Sequence, residues 1–259
     1  MKLKMLLVLF VAAPIVAAPP RLSGGSLQTV PSLAQAEAIG NGWIAYSVAT
    51  PKGFSACGCS LTSENNSINW RDSDDIGPSA SSALLFTRMR DKQPDRVRLF
   101  SPDCSLDASG QTIYWIDNVS PAESMAFLKR IVDSGGERVS HPALLALSLH
   151  PGGTETLIDI AKHNQSSRTR GNALFWLSQQ AGEKAAATLR DAVDNDPEEQ
   201  VRSKAVFGIA QLPNDQSIPM LIDLLKHNRS REVRKKAAFW LGQKNDPRAL
   251  QAIEEILKQ

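Results

Sequence analysis

The sequence predicts an α+β protein: a C-terminal α-solenoid of helical hairpins over residues 121–259, preceded by a small β-rich module over residues 42–120. Three observations carry this. The second half superimposes on itself at an offset of 32 residues, which aligns Arg170 with Arg202 and Arg234, Ala173 with Ala205 and Ala237, and Leu177 with Ile209 and Leu241. Short segments of strand-like alternation separated by turn residues fill much of residues 43–116. The composition, 42% hydrophobic and 22% charged over 259 residues with three cysteines, excludes a disordered chain and a disulfide-dense scaffold.

Lys2 and Lys4, an apolar run over residues 5–16 broken by Pro14, and then Ala17 and Ala18 form the three-part pattern of a secretory signal peptide, expected to occupy residues 1–17. The run is shorter than the roughly 20 apolar residues that a membrane helix needs. No stable membrane span is therefore expected once the signal is removed. Cleavage after Ala17 avoids placing Pro19 at the first mature position, and the first cysteine, Cys57, lies too far along for lipid attachment. The expected location is outside the cytoplasm, periplasmic or secreted. Loss of Lys2 and Lys4 brings the formal charge from +2 to zero, which argues against nucleic acid as a partner. Residues 18–41, rich in Pro, Gly, Ser and Ala, read as a flexible linker with a short helix near residues 34–38.

In the β-rich module, residues 43–48 alternate as a strand, residues 83–90 and 96–100 flank a turn at 91–95 as a hairpin, and residues 112–116 make a further strand. Such a unit is expected to pack on the first repeat and cover its apolar end. In the second half, each repeat reads as two helices. The first (A) carries residues such as Leu221, Leu224 and Leu225, and the second (B) carries Val201, Ala205, Gly208, Ile209 and Leu212. Asp196 is expected to cap a B helix, with Pro197 at its first position and Glu199 completing a capping box, and Asp246 with Pro247 to cap the last helix. A pair of helices this short cannot enclose a core alone, so the units are expected to stack.

Val201-Arg202 followed by Ala205 and Ile209, Val233-Arg234 followed by Ala237, Leu241 and Gly242, and the run from Asn245 to Leu250 resemble HEAT repeats of the short bacterial type. A degenerate unit is expected over residues 121–149, giving about four helical pairs and a final lone helix. The order of signal, small β module and repeats resembles exported bacterial HEAT-repeat proteins of unassigned function. Some bacterial HEAT-like proteins resemble bilin lyases, which makes pigment attachment or handling an alternative function.

Cys57, Cys59 and Cys104 supply three soft ligands without a visible fourth, so no metal is expected. In an oxidising compartment the plainer expectation is a disulfide from Cys104 to Cys57 or Cys59, with the remaining thiol a possible redox group and hence a third function. His163 and His227 are repeat equivalents near A-helix ends, where an imidazole suits the helix dipole. The Asn-x-Ser sites at Asn164 and Asn228 coincide with repeat turns. No metal-protease pair, phosphate-cradling loop or nucleophile elbow is found, so neither catalysis nor a cofactor is expected.

One departure from a plain amphipathic pattern lies on the B helices. At 100° per residue, Lys204, Phe207 and Gln211 fall opposite the apolar side. The pattern recurs as Phe175, Phe207 and Phe239, with Gln179, Gln211 and Gln243 four residues on, and Asn172, Lys204 and Lys236 three residues before. The HEAT resemblance implies that B helices line a concave face, where this stripe would suit an extended peptide or an amphipathic partner; packing between neighbouring B helices is the alternative. Trp176 and Trp240 are expected in the core. Arg170, Arg202 and Arg234 are expected to bond Asn164, Asp196 and Asn228 as a structural ladder. The reading is a monomeric, non-catalytic scaffold that binds a protein or peptide.

Overall fold

Residues 18–50, 54–57, 67–70, 82–134, 136–180 and 182–258 are described in the computed structural model. The chain begins with β1 (Arg21–Ser23), β2 (Ser26–Thr29) and α1 (Leu33–Ile39), followed by β3 (Gly42–Ala49), β4 (Phe54–Cys57), β5 (Ser67–Trp70), β6 (Ser82–Arg90), β7 (Gln93–Phe100), β8 (Ser105–Asp107) and β9 (Thr112–Trp115). A five-stranded sheet runs in the order β2-β9-β3-β6-β7; β1 pairs with β8, and β4 with β5.

The stretch expected as a flexible linker is thus a structural part of the module. β1 and β2 lie parallel to β8 and β9, with Arg21 opposite Ser105 and Ser26 opposite Thr112. Glycine there serves close approach instead of flexibility: a Cβ on Gly25 would lie 2.5 Å from the Ala108 Cβ. The short helix is present as α1, with the Ser32 hydroxyl accepting from the Gln35 N–H. The β6–β7 hairpin turns on Asp91 and Lys92 alone, both at positive φ. The expected five-residue turn is shorter because residues 93–95 belong to β7. Pro94 is tolerated there, on an edge strand beside a bulge, and the Asp95 carboxylate accepts from Nε and Nη2 of Arg88 at 2.6 and 2.7 Å.

Strand alternation sorts the sheet into two buried faces. Trp43, Ala45, Leu84, Phe86, Phe100, Ile113 and Trp115 form one cluster with Leu106. Ile44, Tyr46, Val48, Leu85, Val97 and Leu99 face the other way and join a core that continues through the helices to Ala249. The module therefore covers the first repeat, as expected.

The helices are α2 (Pro121–Ser134), α3 (Glu137–Leu149), α4 (Gly153–His163), α5 (Ser167–Gln179), α6 (Glu183–Asn195), α7 (Glu199–Gln211), α8 (Asn214–His227), α9 (Arg231–Gly242) and α10 (Pro247–Leu257). They make four A/B pairs and a last A helix. Ser166 and Ser230 cap α5 and α9, accepting from Thr169 and Val233, and Asp246 caps α10. Asp196 does not cap α7, whose N-cap is Glu198. Its carboxylate instead accepts from the Glu198 N–H in the turn and from the Arg170 side chain one repeat earlier. Successive B helices approach one another more closely than successive A helices, which puts the B helices on the inside of the curve.

The module and the repeats are also joined by a buried polar chain. The Tyr46 hydroxyl is 2.9 Å from Ser124 Oγ, Ser124 Oγ is 2.7 Å from His150 Nε2, and His150 Nδ1 is 2.7 Å from the Ala146 carbonyl oxygen. Because a carbonyl only accepts, Nδ1 carries the proton, Nε2 accepts from Ser124, and Ser124 accepts from Tyr46. Burial lowers the His150 pKa and raises that of Tyr46, so both are neutral. An unfolded histidine takes up a proton near pH 6.5, whereas folded His150 does so only at lower pH. Its contribution to stability is therefore complete above about pH 6.5 and is lost as the pH falls from there towards its folded value. Urea unfolding at pH 7.5 and 5.5 is expected to show a loss of stability that shrinks in a His150→Gln variant; equal losses in both proteins contradict this assignment.

Candidate partner-binding surface

The inner faces of α5, α7 and α9 are set by the same spacing in each. In α7, Val201, Ala205, Gly208 and Ile209 are buried, while Lys204 and Gln211 are exposed and Phe207 is half-buried. Phe175 is likewise half-buried, and Phe239 is 56% exposed. The rings of Phe175 and Phe207 are parallel to within 1°, with centroids 6.4 Å apart. The stripe of three Phe residues expected on this side is thus assembled as a surface feature, with the exposed Gln179, Gln211 and Gln243 on one flank.

Two tryptophans and a histidine extend it, and the sequence reading missed them. Trp176 is buried, as expected, but its ring meets Phe175 at 5.0 Å and His141 of α3 at 6.2 Å. Trp240 is only half-buried and reaches back to Phe207 at 5.1 Å while meeting Phe239 at 5.0 Å. An unbroken aromatic ribbon results: His141, Trp176, Phe175, Phe207, Trp240 and Phe239. The signal was present in the Phe-Trp dipeptide of two repeats. Gly208 replaces Trp in the repeat between because a side chain there meets the core: a Cβ would lie 2.5 Å from Leu189 Cδ2.

On the other flank, Lys204 Nζ donates to Asn172 Oδ1 at 3.0 Å, joining two repeats. Although Lys204 is exposed as a whole, partial desolvation, followed by the nearby Arg168 guanidinium, lowers its pKa, and Glu137 opposes this. Arg168 is itself paired with Glu137. Lys236 is exposed. Among the described residues neither Lys204 nor Lys236 has a carboxylate within 4 Å, while Glu137 acts on Lys204 and Lys236 on Glu232 through space.

The A-helix side contrasts with this. Lys129 bridges Asp133 at 2.7 Å and Asp159 at 3.3 Å, Asp159 accepts His163, and Asn164 donates to Asp133. The same network recurs two repeats on, with Arg190 between Asp194 and Asp223, His227 on Asp223, and Asn228 on Asp194. His163 and His227 are structural in this sense. The arginine ladder is also present, through main-chain atoms: Arg170, Arg202 and Arg234 donate to the carbonyl oxygens of Asn164, Asp196 and Asn228 at 2.9, 2.7 and 2.7 Å.

Ser124 and His150 are a contact the sequence reading did not find. Their distance suits a nucleophile and base, but Ser124 is 1% exposed and its oxygen is closed off by Tyr46, so the pair serves packing. Cys104 is buried in the module. The Cys57 backbone lies in β4, while Cys59 is outside the described residues, and so is the disulfide expectation that depends on it. The expected signal, residues 1–17, is also outside them. Among the described residues no helix is long and apolar enough to cross a membrane.

Stacked two-helix units joined side by side define a helical-repeat solenoid. A sequence-family model of HEAT repeats matches residues 154–230 and 186–259, and the C-terminal part is accordingly a HEAT-type solenoid preceded by a β-sheet module. No curated protein matches the chain significantly. Three solved structures are similar over about half of it. The complex of CpcE and CpcF of phycocyanin lyase from Nostoc is 21% identical, with 53% of this chain and 88% of that chain covered and a TM-score of 0.41. Human deoxyhypusine hydroxylase in complex with glycerol is 18% identical, with 52% and 57% covered and a TM-score of 0.34. A designed armadillo repeat protein in complex with the peptide (KR)4 is 20% identical, with 52% and 70% covered and a TM-score of 0.33. Likeness at these identities concerns the fold alone.

The exposure along the stripe makes a direct expectation. Phe239→Ser is expected to change unfolding free energy by no more than about 0.5 kcal/mol, whereas Leu241→Ala, on the buried side of the same helix, is expected to cost roughly 2–4 kcal/mol. Equal costs in denaturant titrations would identify Phe239 as a packing residue.

Proposed function

We propose that this protein is a non-catalytic, exported scaffold of the cell envelope that acts as a monomer and holds a protein or peptide partner along the concave face of its repeats. The observation that carries the reading is the aromatic ribbon ending in the 56% exposed Phe239. A regular solenoid has no structural need for an exposed ring on its inner face, whereas aromatic side chains offer large contact area at low entropic cost to a partner. The β-sheet module closes the first repeat, and its Thr50 lines a cavity together with Trp176 and Gln179 at one end of the B-helix face. Export would also make a disulfide from Cys104 to Cys57 or Cys59 available as a staple of the module. A thiol-redox role draws no support from Cys104, which is buried. A pigment-handling role would use the same aromatic face, and the same capture read at visible wavelengths distinguishes it.

The test is cross-linking and affinity capture of the tagged mature protein from its envelope fraction, beside a variant carrying Phe175→Ser, Phe207→Ser and Phe239→Ser whose helicity is verified by circular dichroism. A partner held by the wild type and lost by the folded variant is the expected result. The same partner held equally by both removes the proposal.

A further inference from the structure

We propose that the cavity between the sheet module and α5 is a binding site for one uncharged, apolar residue of the partner segment, with the carbonyl oxygen beside that residue accepting from Trp176 Nε1. This deepens the concave-face reading and rests on it, because Trp176 and Gln179 belong both to the cavity and to the strip that the partner follows.

The cavity, of about 630 Å³, lies where three parts of the chain meet. Thr50 follows the last residue of β3, Leu149 and Pro151 stand at the end of α3 and in the turn after it, and Trp176 and Gln179 come from the last turn of α5. Leu149, Pro151 and the indole ring supply apolar wall. The volume is in the range of about 300–1,000 Å³ that small sites occupy, and such sites combine apolar walls with a few placed polar groups.

Its polar groups fall into two sets. The first is already bonded within the protein. His150 uses both ring nitrogens, on Ala146 and Ser124. Gln180 Nε2 donates to the Ser148 carbonyl oxygen at 2.9 Å while its Oε1 accepts from Thr154, and Ser148 Oγ donates to the Leu145 carbonyl oxygen at 2.7 Å. The second set is Trp176 Nε1 and Thr50 Oγ1, which are buried without a hydrogen-bond partner, on residues that are 7% and 9% exposed. An indole nitrogen only donates, and a hydroxyl donates or accepts. What the cavity lacks first is therefore an acceptor. A buried donor left unbonded has given up its bond to water for nothing, which is why such groups are rare. A carbonyl oxygen delivered by a partner supplies that bond.

Charge narrows the occupant further. Among the described residues no aspartate, glutamate, lysine or arginine lines the cavity, and burial keeps its histidine, His150, neutral. An ionised side chain placed there would lose hydration and gain no counter-ion. An apolar residue meets neither cost: its side chain rests on Leu149, Pro151 and the indole, its carbonyl takes the Trp176 N–H, and the Thr50 hydroxyl and the exposed Gln179 carboxamide serve the neighbouring peptide groups.

The experiment follows the indole N–H signals of the mature protein by NMR, with its five tryptophans isotope-labelled at the indole nitrogen. The Trp176 signal is the one that disappears in a Trp176→Phe variant. The probes are three blocked tripeptides: acetyl-Gly-Leu-Gly-amide, and the same peptide with aspartate or lysine in place of leucine. The leucine probe is expected to move the Trp176 signal downfield and to saturation, as an N–H moves on meeting an acceptor, and to bind about tenfold more tightly than either charged probe. Thr50→Val keeps the side-chain shape and removes the hydroxyl, and is expected to weaken the leucine probe about threefold. Circular dichroism checks the fold of both variants. A Trp176 signal that the leucine probe leaves in place, equal binding of the charged probes, or an affinity untouched by Thr50→Val overturns the inference. Loss of the captured partner in the phenylalanine variant, with the Trp176 signal unmoved by the leucine probe, leaves the recognition reading standing and removes this one.

Discussion

No two-helix unit in this chain can bury its own apolar face, and the rest of the structure follows from that constraint. Leu177, Ile209 and Leu241 are each fully buried only because a neighbouring pair lies against them. The core is consequently continuous, from Ile44 and Tyr46 on one face of the sheet through the repeats to Ala249 in the last helix. The sheet module is part of that core, since its inward strand residues replace the repeat that would otherwise precede α2. The Tyr46–Ser124–His150 chain fixes the junction with directional bonds where the apolar contacts alone would allow sliding.

Repeat boundaries are fixed in the same way. Arg170 joins the main-chain carbonyl of Asn164 in its own repeat to the carboxylate of Asp196 in the next, in a pair whose side chains are 9% and 6% exposed. A pair so buried gains little net stability from charge alone, and its value is in fixing how one unit sits on the next. The A-helix side carries the doubled Asp–His–Asn network, whereas the aromatic ribbon lies on the B helices. That is the physical reason the concave face is the candidate for recognition.

What the sequence disclosed follows from what leaves a periodic trace. The helical pairs were legible because burial recurs every 32 residues, and β3, β6 and β9 because alternation marks a strand with two different faces. β1 and β2 were not legible. They are three and four residues long, and their partners Ser105 and Thr112 lie more than eighty residues away, so no local pattern records the pairing. Gly25 looked like a flexible residue and is a close-packed one. Asp196 looked like a cap because a Pro and a Glu follow it, but its carboxylate is used by Arg170, a contact between repeats that spacing within one repeat does not encode. The phenylalanine stripe was visible from the helical wheel, whereas Trp240 was assigned to the core because its position matches that of Gly208. The curvature that brings it onto Phe207 is a property of the stack.

These points place the interest of the molecule in the aromatic strip carried on a continuous core. The most direct measurement is site-specific photo-cross-linking with benzoylphenylalanine in place of Phe239 on the inner face and, separately, in place of Gln251 on the last A helix. Both positions are exposed, so neither label disturbs the core. The account predicts a discrete cross-linked partner from position 239 and none from position 251. Cross-linking from 251 with none from 239 would place the partner elsewhere and contradict it.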